Sequence, residues 1–142
     1  MKRILFTAIA VLCLLGTGTV FAQDRDHSVQ AQIPFGFCVG NTSLPAGTYV
    51  LGRLPGSQCV AVVRNSTTGE AVFNMAQSDW YGPQEHPGKL VFNQYGNQYF
   101  LSEIHGIRAI NRMTLPVSSR EKQARMELAN VQVYEQDIIP QK

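Results

Sequence analysis

The side chains able to do chemistry in this chain are few and widely spaced. His86, His105, Glu85, Glu103 and Asp79 are imidazoles and carboxylates, the donors that suit zinc and related ions, but their spacing follows no ligand signature. Glu103 and His105 stand two apart, so on a strand they share one face. A metal-dependent hydrolase using His86, His105 and Glu103 is the reaction these groups would support, and a solvated strand face is the competing expectation. The serines lack a Gly-x-Ser-x-Gly elbow. Gly36, Gly40 and Gly47 belong to strands and turns, with no loop that opens a helix and cradles phosphate. Cys38 has no histidine near it in sequence, which argues against a thiol nucleophile. The expectation is a chain with no catalytic set, no metal and no cofactor.

The aromatic residues are more suggestive. Trp80 and Tyr81 precede Pro83 and Pro87 in a long loop, and Tyr95 falls at a hairpin tip. Trp80, Tyr81 and Tyr95 are therefore the candidate ligand-binding residues, a platform that stacks on a sugar ring or anchors in a partner protein. The competing expectation is that they pin the loop onto the domain. Arg120, Lys122 and Arg125 offer contacts to anionic surface material, or simply a solvated helix face.

Around these residues the N-terminus sets an address. Met1-Lys2-Arg3 is a cationic head, Ile4 to Leu15 is an apolar run, and Val20-Phe21-Ala22 fits a signal-peptidase site, so cleavage is expected between Ala22 and Gln23. Residues 1–22 are then a signal peptide and residues 23–142 a single β-rich domain of the exported protein, periplasmic or extracellular. The apolar run is short for a transmembrane helix, and Leu12 before Cys13 is bulky where lipoprotein processing wants a small residue. Without Lys2 and Arg3 the basic residues fall from 12 to 10, equal to the 10 acidic ones. A neutral domain without a basic, aromatic-interleaved stripe is not expected to bind nucleic acid. Cys38 and Cys59 remain after cleavage, and an even pair in an exported chain permits a disulfide worth about 3 kcal/mol in the chain-entropy model. The alternative is two small buried hydrophobes.

The elements that must position these groups read as strands. Val29, Ala31, Ile33, Phe35 and Phe37 alternate with more polar residues, the period-two signature of a half-buried strand, and Pro34 directs one side of it to an edge or a bulge. Gly40 to Ser43 reads as a loop, and Leu44-Pro45-Ala46-Gly47 as a type I turn. Further strands are expected over residues 48–54, 59–64, 70–76, 89–94, 98–104 and 131–134. Tyr95-Gly96-Asn97 joins two of them, either as a two-residue Gly-Asn hairpin or as a three-residue loop with Phe92 opposite Phe100. Turns every 8 to 12 residues, with no helices between, predict an all-β antiparallel sandwich or small barrel of about seven to eight strands. One short C-terminal helix is expected from the Ser118-Ser119-Arg120-Glu121 capping box. These strands are too few and too short for an outer-membrane barrel.

The blocks Ile33-Pro34-Phe35-x-Phe37, Val39-Gly40-Asn41 and Leu44-Pro45-Ala46-Gly47-Thr48-Tyr49 fall at fixed offsets. With Leu90-Val91-Phe92 and Tyr99-Phe100-Leu101-Ser102-Glu103-Ile104, they make the chain resemble a group of small exported bacterial β-rich proteins of uncharacterised function. The resemblance implies a signal peptide and one β-rich domain, and it carries no catalytic residues. The functional expectation is an exported, non-catalytic β-domain with a binding or structural role at the cell envelope or outside the cell, its partner an envelope glycan or protein. The alternative is a small-barrel carrier of an apolar ligand, with Phe35, Phe37, Phe92 and Phe100 around its interior.

Overall fold

The computed structural model describes residues 28–79, 88–107, 110–127 and 131–137, with side chains omitted at 107, 110, 111 and 131–137. The expected signal peptide over residues 1–22 and the loop residues Trp80, Tyr81, Glu85 and His86 lie outside the described residues.

The chain is all-β. Strands β1 (Ser28–Ile33), β4 (Gly47–Arg53), β5 (Val60–Asn65) and β6 (Ala71–Met75) form one antiparallel sheet in the order β1-β4-β5-β6. The second sheet has β11 (Val131–Asp137), β8 (Lys89–Tyr95), β9 (Gln98–Ile107), β10 (Ile110–Thr114) and β7 (Gln77–Asp79) in that order. The short hairpin β2 (Phe37–Val39) and β3 (Thr42–Leu44) joins it through one parallel bridge, Cys38↔Phe100. Fully buried Tyr49, Leu51 and Val63 of the first sheet pack against Phe37, Phe92, Ile104 and Met113 of the second, giving a sandwich-like core. Each such side chain contributes about 1.5–3 kcal/mol on leaving water.

Eleven strands stand among the described residues where the sequence predicts seven or eight. The single strand expected from Val29 to Phe37 is two. Pro34, which has no N–H to give a ladder, sits where the chain leaves edge strand β1 for the other sheet. The alternation survives the crossing, since Val29, Ala31, Ile33, Phe35 and Phe37 all contribute to one core. Thr42–Leu44, expected as loop, is a strand because Gly40, at φ 60°, closes a two-residue turn that sets Val39 opposite Thr42. β7 and β10 also escaped the reading, because Gln77-Ser78-Asp79 and Ile110–Thr114 lack clean alternation.

The hairpin ambiguity is resolved in favour of the two-residue loop. Tyr95 pairs with Gln98, and Gly96 at φ 58° takes the first central position, as a II′ turn requires. Phe92 then faces Leu101 and not Phe100. A β-bulge follows: Phe92 opposes Leu101 and Val91 opposes Glu103, leaving Ser102 as an extra residue on β9. Tyr99 and Leu101 before the bulge and Ile104 after it therefore all reach the core.

Helix α1 (Ser119–Glu127) starts where the capping box places it, with Ser118 Oγ accepting from the Glu121 amide at 3.1 Å. Only half of the box forms. The Glu121 side chain turns to the sheet, where Oε1 accepts from Asn93 Nδ2 at 2.8 Å and from the Tyr95 hydroxyl at 3.3 Å. Asn41 of the β2–β3 turn adds a second cap, its Oδ1 accepting from the Arg120 amide and the Ser119 hydroxyl. Among the described residues no helix is long and apolar enough to cross a membrane.

Candidate functional site

The disulfide expectation is corrected: both cysteines are free. Cys38 is buried beneath the helix with Tyr95, Phe100 and Ala124, on the outer side of the second sheet. Cys59 is exposed, one residue before β5 of the first sheet. One thiol in β2 under the helix and the other on the chain entering β5 do not meet the distance a bridge needs.

Of the three aromatics expected to form a platform, only Tyr95 lies within the described residues. It ends β8 instead of standing at the hairpin tip, and its side chain is 3% exposed. The ring meets Phe100 edge-on at 5.8 Å, and the hydroxyl is held by Glu121. Burial first, and then the charge and hydrogen bond of the Glu121 carboxylate, raise its phenol above the ordinary 10.0, while Arg125 acts weakly the other way. A ring enclosed in this way cannot stack on a sugar. Its work is to fasten the helix.

Exposed apolar surface gathers elsewhere, along β6. Phe73 is 57% and Met75 61% exposed, and both point away from the core beside their cross-strand partners Val62 and Val60. The reason is local: Val72 supplies the inward face of β6, so Ala71, Phe73 and Met75 necessarily form the other face. Two open clefts run along this strand and meet at Pro116. One, about 240 Å³, lies between Val72-Phe73-Asn74 and Pro116-Val117-Ser118, with the Gly40 turn at its end. The other, about 390 Å³, lies between Met75-Ala76-Gln77 and Thr114-Leu115-Pro116, beside Cys59. Together they make one groove. Val117, 46% exposed, stands on the far wall. Among the described residues no charged side chain lines either cleft.

Comparison with protein-family models, with curated proteins and with solved structures finds no match.

Of the groups weighed for metal chemistry, Asp79, Glu103 and His105 lie within the described residues, on strands β7 and β9 of the second sheet. His105 Nε2 lies 2.6 Å from Glu103 Oε2, so the two share a face as their spacing predicts. Arg112, opposite His105 in the register, donates from Nη2 to Asp79 Oδ2 at 3.1 Å. One histidine–carboxylate hydrogen bond and one Arg–Asp ion pair thus link neighbouring polar groups on this sheet, a common way to stabilise a sheet surface. Among the described residues no three His, Cys, Asp or Glu side chains gather to hold an ion. The phenylalanines weighed for a carrier pack on one another: Phe92 meets Phe35 at 5.2 Å and Phe37 at 5.6 Å, both edge-on. Phe37 and Phe92 are buried in the core between the sheets, with Phe35 packed against it. Phe100 faces the helix, on the other side of its sheet.

Sequence reasoning missed Phe73, Met75 and Val117. A signal was present: Ala71-Val72-Phe73-Asn74-Met75-Ala76 is apolar at both parities, which in an antiparallel sheet means that both faces have something to cover.

Proposed function

We propose that this chain is an exported, non-catalytic β-domain that binds a partner at the cell envelope or outside the cell through the groove along β6. The observation that carries the reading is the concentration of exposed Phe73, Met75 and Val117 around a groove that no charged side chain lines among the described residues. Large apolar side chains gathered on a surface mark interaction sites. The cationic head, apolar run and Val20-Phe21-Ala22 site support export. Trp80 and Tyr81 follow β7 in sequence and remain candidate contacts of the same partner.

Fractionation of cells expressing the full chain with its own N-terminus tests the address. The protein is expected outside the cytoplasm with Gln23 as its first residue, and retention of residues 1–22 in a cytoplasmic product refutes export. Binding is tested with the purified protein on glycan arrays and immobilised envelope fractions, comparing the wild type with Phe73→Glu/Met75→Glu and with Trp80→Ala/Tyr81→Ala. The Glu pair is expected to weaken binding at least tenfold while the circular dichroism stays unchanged. Undiminished binding by the Glu pair excludes the β6 groove, and undiminished binding by the Trp80, Tyr81 pair removes those two residues from the site.

A further inference from the structure

The shape of the groove points to the chemistry of what enters it. β6 is the outermost strand of its sheet, and among the described residues no strand pairs with its outer edge. Such an edge presents a row of amides and carbonyls ready to accept another strand, and proteins usually guard it with lysine, proline or a bulge. Ala71–Met75 contains neither a charge nor a proline, and its register with β5 runs unbroken from Val60↔Met75 to Arg64↔Ala71. This edge looks into the groove, with Pro116 and Val117 across it.

The opposite wall has a definite direction. β10 and β7 pair antiparallel as far as Thr114↔Gln77, and there the two chains part. Residues before Gln77 run back into β6, while those after Thr114 run on through Pro116 and Val117 to the helix. The groove is thus the space between two antiparallel segments joined at one end. At the other end the Gly40 turn closes in, since a Cβ on Gly40 would lie 2.7 Å from Asn74 Nδ2. Two copies of β6 cannot meet edge to edge while Pro116 and Val117 stand beside that edge, whereas one extended chain can enter. Among the described residues the lining offers an incoming charge no opposite charge to offset the water it gives up.

Building on the binding role proposed above, we infer that the groove takes an extended, uncharged peptide segment of a partner protein, which adds to the first sheet as a strand beside β6. Its backbone pairs with Ala71–Met75, and alternate side chains rest on Phe73 and Met75 or turn inward toward Val72 and Ala76. This is recognition by strand addition: main-chain bonds give affinity and alternate side chains give selectivity.

The test titrates the isotope-labelled full-length protein with a capped Thr-Val-Thr-Val-Thr-Val-Thr peptide, and with two versions N-methylated on one or the other alternating set of amides. The parent peptide is expected to shift the amide resonances of residues 71–75 with a dissociation constant below about 1 mM. At least one methylated version should bind tenfold or more weakly, because methylation removes the ladder donors and leaves the side chains in place. No binding at β6 overturns the inference. Equal binding by all three peptides, or equal shifts at edge strand β1, overturns it too, because any apolar contact would then suffice. If the peptides fail while Phe73→Glu/Met75→Glu still weakens envelope binding, the groove remains a binding site and only the strand chemistry falls.

Discussion

Removing Glu121 is the sharpest test of how the helix is attached. The carboxylate is 4% exposed and accepts two hydrogen bonds, at 2.8 Å from Asn93 and 3.3 Å from Tyr95. Apart from Glu121, the helix buries only Ala124 among its described side chains, so apolar contact contributes little to its attachment. Glu121→Ala leaves an amide and a phenol without their acceptor, at about 1–3 kcal/mol each, the longer bond at the low end. Relief from burying a charge offsets part of this loss. The net expectation is a loss of about 2–4 kcal/mol, or about 10 °C in Tm for a domain of this size. Urea denaturation and calorimetry measure it. Thiol chemistry supplies an independent reading: Cys38 lies under Ala124, so its reaction with a disulfide reagent should quicken as the helix lifts. A Glu121→Ala protein within about 0.5 kcal/mol of wild type, with Cys38 still protected, would refute the assignment of Glu121 as the fastening.

Tyr95 predicts an alkaline effect. Its phenol titrates higher in the folded protein than in the unfolded chain, so its contribution is intact below pH 10.0 and is lost as pH rises from there through the raised folded value. Tyr95→Phe should flatten that part of the stability profile, and an unchanged alkaline slope in urea titrations contradicts the burial argument. Phe92→Ala empties a site where three aromatic rings meet and should cost about 3–5 kcal/mol in chemical denaturation. Gly106 has φ 83°, and a Cβ there would lie 2.4 Å from Gly88 Cα, so Gly106→Ala should lose about 2 kcal/mol or more by the same measurement. Under native conditions one thiol, Cys59, should react quickly and Cys38 slowly, and the unreduced and reduced proteins should share one intact mass.

The strands that the sequence shows best are those with one wet face. Residues 29–37, 48–54 and 59–64 alternate because one side meets the core and the other meets water. β8 does not alternate, since Leu90 and Phe92 face the core while Val91, Asn93 and Tyr95 face the other side, under or near the helix. A layer that covers one face of a sheet makes both parities apolar, and nothing local reveals which layer does so. The bulge at Ser102 hides in the same way: it exchanges the roles of odd and even positions midway along β9, and no composition signal marks it. Tyr95 was misjudged because proximity to a Gly-Asn turn suggests exposure, whereas its burial comes from a helix more than twenty residues later. The β6 groove was illegible for a related reason, since it exists only where two segments separated in sequence pair at Gln77 and Thr114 and then diverge.

The double capping of α1 has a consequence for how the chain assembles. The hairpins β4–β5 and β5–β6 close between consecutive strands, so a chain released N-terminus first can form most of its first sheet early. The β2–β3 hairpin cannot settle at that stage. Its bridge partner Phe100 comes late, and Asn41 meets Ser119 across a separation of 78 residues. Contacts of such range incur loop-closure entropy before they return any stabilisation, and they slow folding. The N-terminal crossing at Pro34 therefore stays loose until the C-terminal quarter has emerged. The locking of Asn41 onto the helix is expected among the last events, ordering the Gly40 end of the β6 groove only once the whole domain is present.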